Sequence, residues 1–99
     1  THAVRNTNMD GFSLHEGDII GISGDKIVAQ SRDIGETTER VVQQLVGDFS
    51  ETITLYYGSD VNKNDAEKLK GELAEKYPDF DVACYEGDQP HYYYFVAVE

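Results

Sequence analysis

Several groups of residues in this sequence are of types that do chemistry, and their spacing decides whether they can. Gly17, Gly21 and Gly24 are separated by three and then two residues. This matches neither the dinucleotide fingerprint nor the phosphate loop with its Gly-Lys-Ser/Thr ending, and the glycines fall in a strand and hairpin rather than between a strand and a helix. Nucleotide binding is not expected of this segment. His2, His15 and His91 are scattered, and none stands three or four residues from another histidine or cysteine, so the compact metal-ligand pairs are missing. Asp10, Glu16 and Asp18 have the composition of a carboxylate pair for acid–base work. They surround turn glycines, however, where such side chains bond to their own backbone.

Ser59 follows Gly58 in 56-YYGSD-60 without the G-x-S-x-G frame of a nucleophile elbow. It stands at the carboxy end of an expected central strand, where open α/β sheets place ligands. Gly58 would let backbone approach a partner there, and Asp60 adds charge. The plainer alternative is a helix-entry loop. Cys84 is the only cysteine, so no intrachain disulfide is possible, and in an apolar run it is expected to pack as a small hydrophobe. Tyr92, Tyr93, Tyr94 and Phe95 have the rings to stack bases but no neighbouring Lys or Arg. Burial on alternate sides of a strand is the reading preferred for them.

The elements that must position these residues follow from pattern. Asn, Asp and Gly in 6-NTNMDG-11 favour turns. The β-branched runs 18-DIIGIS-23 and 26-KIVAQ-30 are strands joined by Gly24-Asp25, the length and chemistry of a type II′ hairpin. From Asp33, the spacing of Ile34, Thr38, Val41, Val42, Leu45 and Val46 predicts an amphipathic helix of about three turns. The run 52-TITLYY-57, apolar on both faces, reads as a buried central strand. Asn62 or Asn64 caps a second helix with the stripe Ala66, Leu69, Leu73, Tyr77 and the i,i+4 pair Glu72–Lys76, stopped by Pro78. Strands at 80-FDVACY-85 and 92-YYYFVAVE-99 close the chain. Repeated strand–helix–strand order predicts parallel crossovers in a mixed sheet, with the last strand antiparallel because its connection is short.

Composition removes whole function classes. Nineteen acidic against eight basic residues give a net charge of -11, which repels nucleic acid and anionic membranes. No apolar stretch approaches the ~20 residues a spanning helix needs, and no leader is evident, so a cytoplasmic protein without membrane insertion is expected. Ninety-nine residues suit a single domain, 1–99. Because the chain starts at Thr1 and 1-THAVRN-6 reads at once as extended, that domain is expected to be a segment of a longer protein.

Read together, 3-AVRNT-7, 17-GDIIGI-22 with 26-KIV-28, 56-YYGSDV-61 and 86-EGDQPHYYYFVAVE-99 resemble the last segment of the kinase subunit of bacterial fatty acid kinase, a family often labelled dihydroxyacetone-kinase-like. The resemblance spans the chain and departs at Asp88, where a second turn glycine is expected, and at His91. It implies a non-catalytic carboxy-terminal α/β domain, a small mixed β-sheet with two main helices and an N-terminal β-hairpin, related to the DegV-like architecture of the fatty-acid-carrying protein. It implies ATP and magnesium in a kinase domain elsewhere, none in this segment, and a fatty-acid-binding carrier protein as partner. The preferred partner contacts are Gly58, Ser59, Asp60, Gly87, Asp88, Gln89 and His91. A small-molecule or lipid-binding module and a homodimerisation domain remain alternatives. An independent enzyme would need a cleft with convergent polar groups, which the sequence does not display.

Overall fold

The computed structural model describes residues 7–9, 11–90 and 92–99. His2, Asp10, His91 and the first part of 3-AVRNT-7 therefore lie outside the described residues. Contacts divide the chain after Gln44 into an amino-terminal and a carboxy-terminal unit.

In the first unit, β1 (Thr7–Met9) pairs antiparallel with β2 (Phe12–Leu14), Met9 opposite Phe12. Residues 7–9, expected as part of a turn, are thus strand. A two-residue link closes a hairpin so tightly that its flanks pair at once, and Gly11 with φ 84° contributes to the bend. The next hairpin is as expected. β3 (Ile19–Ser23) and β4 (Lys26–Ser31) bring Ser23 opposite Lys26. Gly24 takes φ 64° and Asp25 no positive φ, which is the type II′ signature. Between Gly21↔Ala29 and Ile22↔Ile27 the register slips by one, a bulge that leaves Val28 without an opposite residue. Leu14 and Ile27 are buried, with Phe12 and Ile20 packed against them.

Helix α1 (Ile34–Leu45) starts where the Asp33 carboxylate accepts from the Glu36 amide at 2.8 Å. Its buried residues are Thr37, Thr38, Val41 and Val42, whereas Leu45 is exposed. Thr37 lies outside the predicted stripe. It is buried because its hydroxyl pairs with Ser31 Oγ at 2.6 Å and reaches the Ile19 carbonyl at 3.4 Å, which ties the helix to β3 and β4. Arg40 adds a second tie, donating to the Gln30 carbonyl at 2.7 Å and to Glu36 at 2.6 Å. Among the described residues, that is where an i,i+4 ion pair forms, in place of Glu72–Lys76.

The second unit is a three-stranded mixed sheet, order β6-β5-β7, with one helix. β5 (Thr52–Tyr57) is central; α2 (Lys63–Lys76) returns the chain to β6 (Asp81–Glu86) parallel to it, and β7 (Tyr94–Val98) is antiparallel on the other side. One of the two predicted crossovers is therefore present. The other, β4 to α1 to β5, does not build one sheet: β4 pairs with β3, whereas β5 pairs with β6 and β7. Asn62 caps α2, its side chain accepting from the Asp65 amide at 2.8 Å, and Ala66, Leu69 and Leu73 are buried. Under this stripe lie Ile53 and Leu55, both at 0% exposure.

Candidate functional site

The stretches 58–62 and 86–90 meet at the carboxy ends of the parallel strands, beside the start of α2. Gly58 N donates to the Tyr93 carbonyl at 2.8 Å and Ser59 N to the Gln89 carbonyl at 3.0 Å. The Tyr57 carbonyl accepts from both Gly87 N at 2.9 Å and Asp88 N at 3.2 Å. Gln89 closes the joint, its side-chain amide donating to the Tyr56 carbonyl at 2.9 Å. The structure thus brings Gly58, Ser59, Gly87, Asp88 and Gln89 together, with Asp60 on the same edge. Gly58 is buried; Ser59, Asp60, Gly87 and Asp88 are exposed. The close approach that glycine permits at position 58 is taken by the protein's own Gln89 and Tyr92 carbonyls, and the Gly58 and Ser59 amides are already bonded. What the edge offers outward is side chains and charge.

Asp88, which stands where glycine is expected, has φ 56°. Asp tolerates this left-handed geometry better than most residues but still carries strain of roughly 1 kcal/mol relative to glycine. Asp88→Gly is expected to leave urea stability unchanged or raise it by up to about 1 kcal/mol, and Asp88→Val to lower it by about 1–2 kcal/mol. A stable Asp88→Val protein would mean the loop adopts another backbone in solution.

One feature of this unit has no counterpart in the sequence pattern. Strand alternation places Ile53, Leu55 and Tyr57 of β5 towards α2, so Tyr56 faces the other way. In register beside it stand Tyr85 of β6 and Phe95 of β7. These rings are 39%, 56% and 49% exposed, and Tyr92, 45% exposed, stacks on Phe95 at a centroid distance of 5.4 Å. Tyr56 and Tyr85 lie 5.9 Å apart. Core burial on both sides is the expectation for 52–57 and 92–99; only the side under α2 is buried. The run 92-YYYF-95 also enters its strand only at Tyr94. The signal that finds the row is shared parity, an aromatic at the same level of three paired strands, which requires knowing the pairing.

The remaining polar candidates resolve into structure. Asp18 is buried, accepts from the His15 amide at 2.9 Å and from the Gln30 side chain at 2.6 Å, and has Arg32 at 3.7 Å. The His15 amide, then Gln30, hold its carboxyl below the usual range. This is the turn role read from the sequence, in which an ionised Asp ties 15–18 to β4. Among the described residues no three His, Cys, Asp or Glu side chains gather to hold a metal ion, and no helix is long and apolar enough to cross a membrane.

Residues 1–99 match the FakA-like carboxy-terminal family, described as the C-terminal part of proteins like the FakA component of fatty acid kinase. The chain belongs to this family. Among its relatives, Protein YloV of Bacillus subtilis (strain 168) is 33% identical over 99 residues, and an uncharacterized protein of Staphylococcus aureus (strain MRSA252), SAR1202, is 34% identical over the same length. In each case all of this chain aligns but only 18% of the relative, so the chain spans about a fifth of the length of these proteins.

Within this FakA-like domain, the side of the sheet under α2 holds the groups whose ionisation is pushed up. Burial, with Glu67 adding to it, pushes the Cys84 thiol up, which disfavours the reactive thiolate and agrees with a packing role. Burial pushes the Tyr94 phenol up to about 12, with Cys84 and Asp65 adding to it, and raises Tyr57 as well. A phenol raised from 10 in the folded state stabilises the fold fully below pH 10 and loses that contribution as pH rises through about 12. Stability is therefore expected to fall across this alkaline window, and Tyr94→Phe to flatten the fall. Denaturation midpoints measured at pH 8 to 12 check this; identical slopes for both proteins would show that Tyr94 is solvated.

Proposed function

We propose that this domain is a non-catalytic docking module, which holds a fatty-acid-carrying protein against a kinase domain elsewhere in the longer chain so that the acyl carboxylate is phosphorylated there. ATP and magnesium belong to that other domain. Family membership supplies the fatty acid kinase context. The observation that carries the docking reading is the bonded edge formed by 58–60 and 87–89, whose backbone is fixed and whose exposed Ser59, Asp60 and Asp88 point to contact rather than to turnover. A rigid edge suits the purpose, because presenting a bound group to a distant catalytic centre depends on fixed geometry. Lipid contact by the aromatic rings is the weaker reading. An acyl chain is held in an enclosed apolar slot, whereas these rings lie on an open sheet face whose strand ends carry carboxylates that repel a fatty acid's own charge.

The test is titration of this domain with the fatty-acid-carrying protein, with and without fatty acid, at two salt concentrations and with ATP as a control. Binding is expected, with an association rate that falls as salt rises, since the domain's negative field steers a basic partner surface. A folded domain that shows no binding under any of these conditions would overturn the reading.

A further inference from the structure

We propose that the open face of the β6-β5-β7 sheet is itself a docking surface, and that the partner's matching face presents arginine side chains. This rests on the docking reading above only for the identity of the partner. The face is built from Tyr85, Tyr56 and Phe95 in a row across the strands, extended by Tyr92, above a floor of Thr54, Ala83 and Ala97 that share their parity. Rings half exposed above a small-residue floor leave aromatic surface open to whatever binds.

Charge selects the occupant. From residue 45 to the end, every lysine (Lys63, Lys68, Lys70 and Lys76) lies in α2, on the opposite side of the sheet, and there is no arginine. Acids stand at both ends of the strands instead. Glu51, Asp81 and Glu99 meet at one end, where the Glu99 carbonyl accepts from the Glu51 and Thr52 amides; Asp60 and Asp88 flank the other. A second copy of this chain would bring the same rim of carboxylates against itself, and anionic lipid is repelled in the same way. Neutral apolar protein surface would leave the acids unpaired. Guanidinium groups answer both features at once, stacking on tyrosine and phenylalanine faces and pairing through their planar fork with carboxylates. Lysine supplies the charge without the stacking plane.

The isotope-labelled 99-residue chain is titrated with a short peptide bearing two arginines and with versions in which these are lysine or glutamine. The arginine peptide is expected to move the amide signals of Tyr56, Tyr85, Tyr92 and Phe95, the lysine version at least threefold more weakly, and the glutamine version not at all. Equal responses to all three, or shifts confined to other residues, would overturn the proposal. With the fatty-acid-carrying protein as probe, hydrogen exchange is expected to slow along β5 to β7, and Tyr85→Ser with Phe95→Ser to weaken binding at least tenfold while Lys76→Gln leaves it unchanged. Exchange protection on the unaltered chain decides the matter if the double variant does not fold. Carrier binding with protection elsewhere would sink the surface but keep the docking function. No carrier binding, with the arginine peptide still seated on the rings, would sink the docking function but keep the surface. Concentration-dependent dimerisation abolished by the double variant, or binding of phosphatidylglycerol vesicles through these rings, would assign the face to another occupant and refute the inference.

Discussion

Gly58→Ala is expected to destabilise the domain by about 3 kcal/mol, made up of about 1–3 kcal/mol of overpacking and about 1 kcal/mol for each loop hydrogen bond that must lengthen. An added Cβ would collide with the Tyr92 carbonyl and lie 2.7 Å from the Gln89 carbonyl, both backbone atoms. Neither can swing aside alone, because the Gln89 carbonyl accepts from Ser59 N and the next carbonyl, of Tyr93, accepts from Gly58 N. The two loops must part together. For a chain of this size the melting temperature should drop by more than about 10 °C, with faster exchange of the Gly58 and Ser59 amides. The same substitution at Gly71, an exposed position in α2 with nothing within 4 Å of the added carbon, should instead stabilise by about 0.5–1 kcal/mol. Two alanines of equal effect would show that the close approach at Gly58 is absent in solution.

Leu55→Ala should lose about 2–5 kcal/mol, since Leu55 is fully buried in the central strand and its removal leaves a cavity that the ladders on both sides prevent from closing. Against a total stability of roughly 5–15 kcal/mol for an ordinary domain, that is a large fraction. One residue further on, Tyr56→Ser removes a larger side chain from the open side and should lose only about 1 kcal/mol, chiefly its contact with Tyr85. Midpoints of urea unfolding at two protein concentrations separate these effects. A Tyr56→Ser loss as large as that of Leu55→Ala, and growing with concentration, would mean that the open face is covered by another chain.

Much of the fold is legible in local chemistry. Gly24-Asp25 fits its turn because only one of its two positions needs positive φ, and glycine occupies that one. The stripe Ala66, Leu69, Leu73 and the Asn62 cap define α2 without reference to anything distant. β1 is not legible in this way, because the turn-favouring residues of 6-NTNMDG-11 run through a strand only three residues long. The loops 58-GSDVN-62 and 86-EGDQPH-91 both stand out in the sequence, and the fold places their described residues side by side. Their bonding through Gln89 has no local signature, because a backbone carbonyl accepts from whatever amide the fold delivers.

Local pattern thus sufficed for the order of elements from β3 onward, the acidic character of the chain, the β3–β4 hairpin, both helices, the kinase-family resemblance and the turn at residue 88. Periodicity, turn chemistry and net charge act over a few residues or over the whole chain, so they can be read without a pairing scheme. The pairing scheme, with β5 between β6 and β7 and β4 on β3 in a separate sheet, came only with the assembled fold. That fold also decided that one helix covers one side of the β6-β5-β7 sheet, which turns half of an apparently two-sided core into an exposed aromatic row. A strand's alternation shows which residues share a side; which side is covered depends on the number of layers that pack there, and that is a property of the assembled fold.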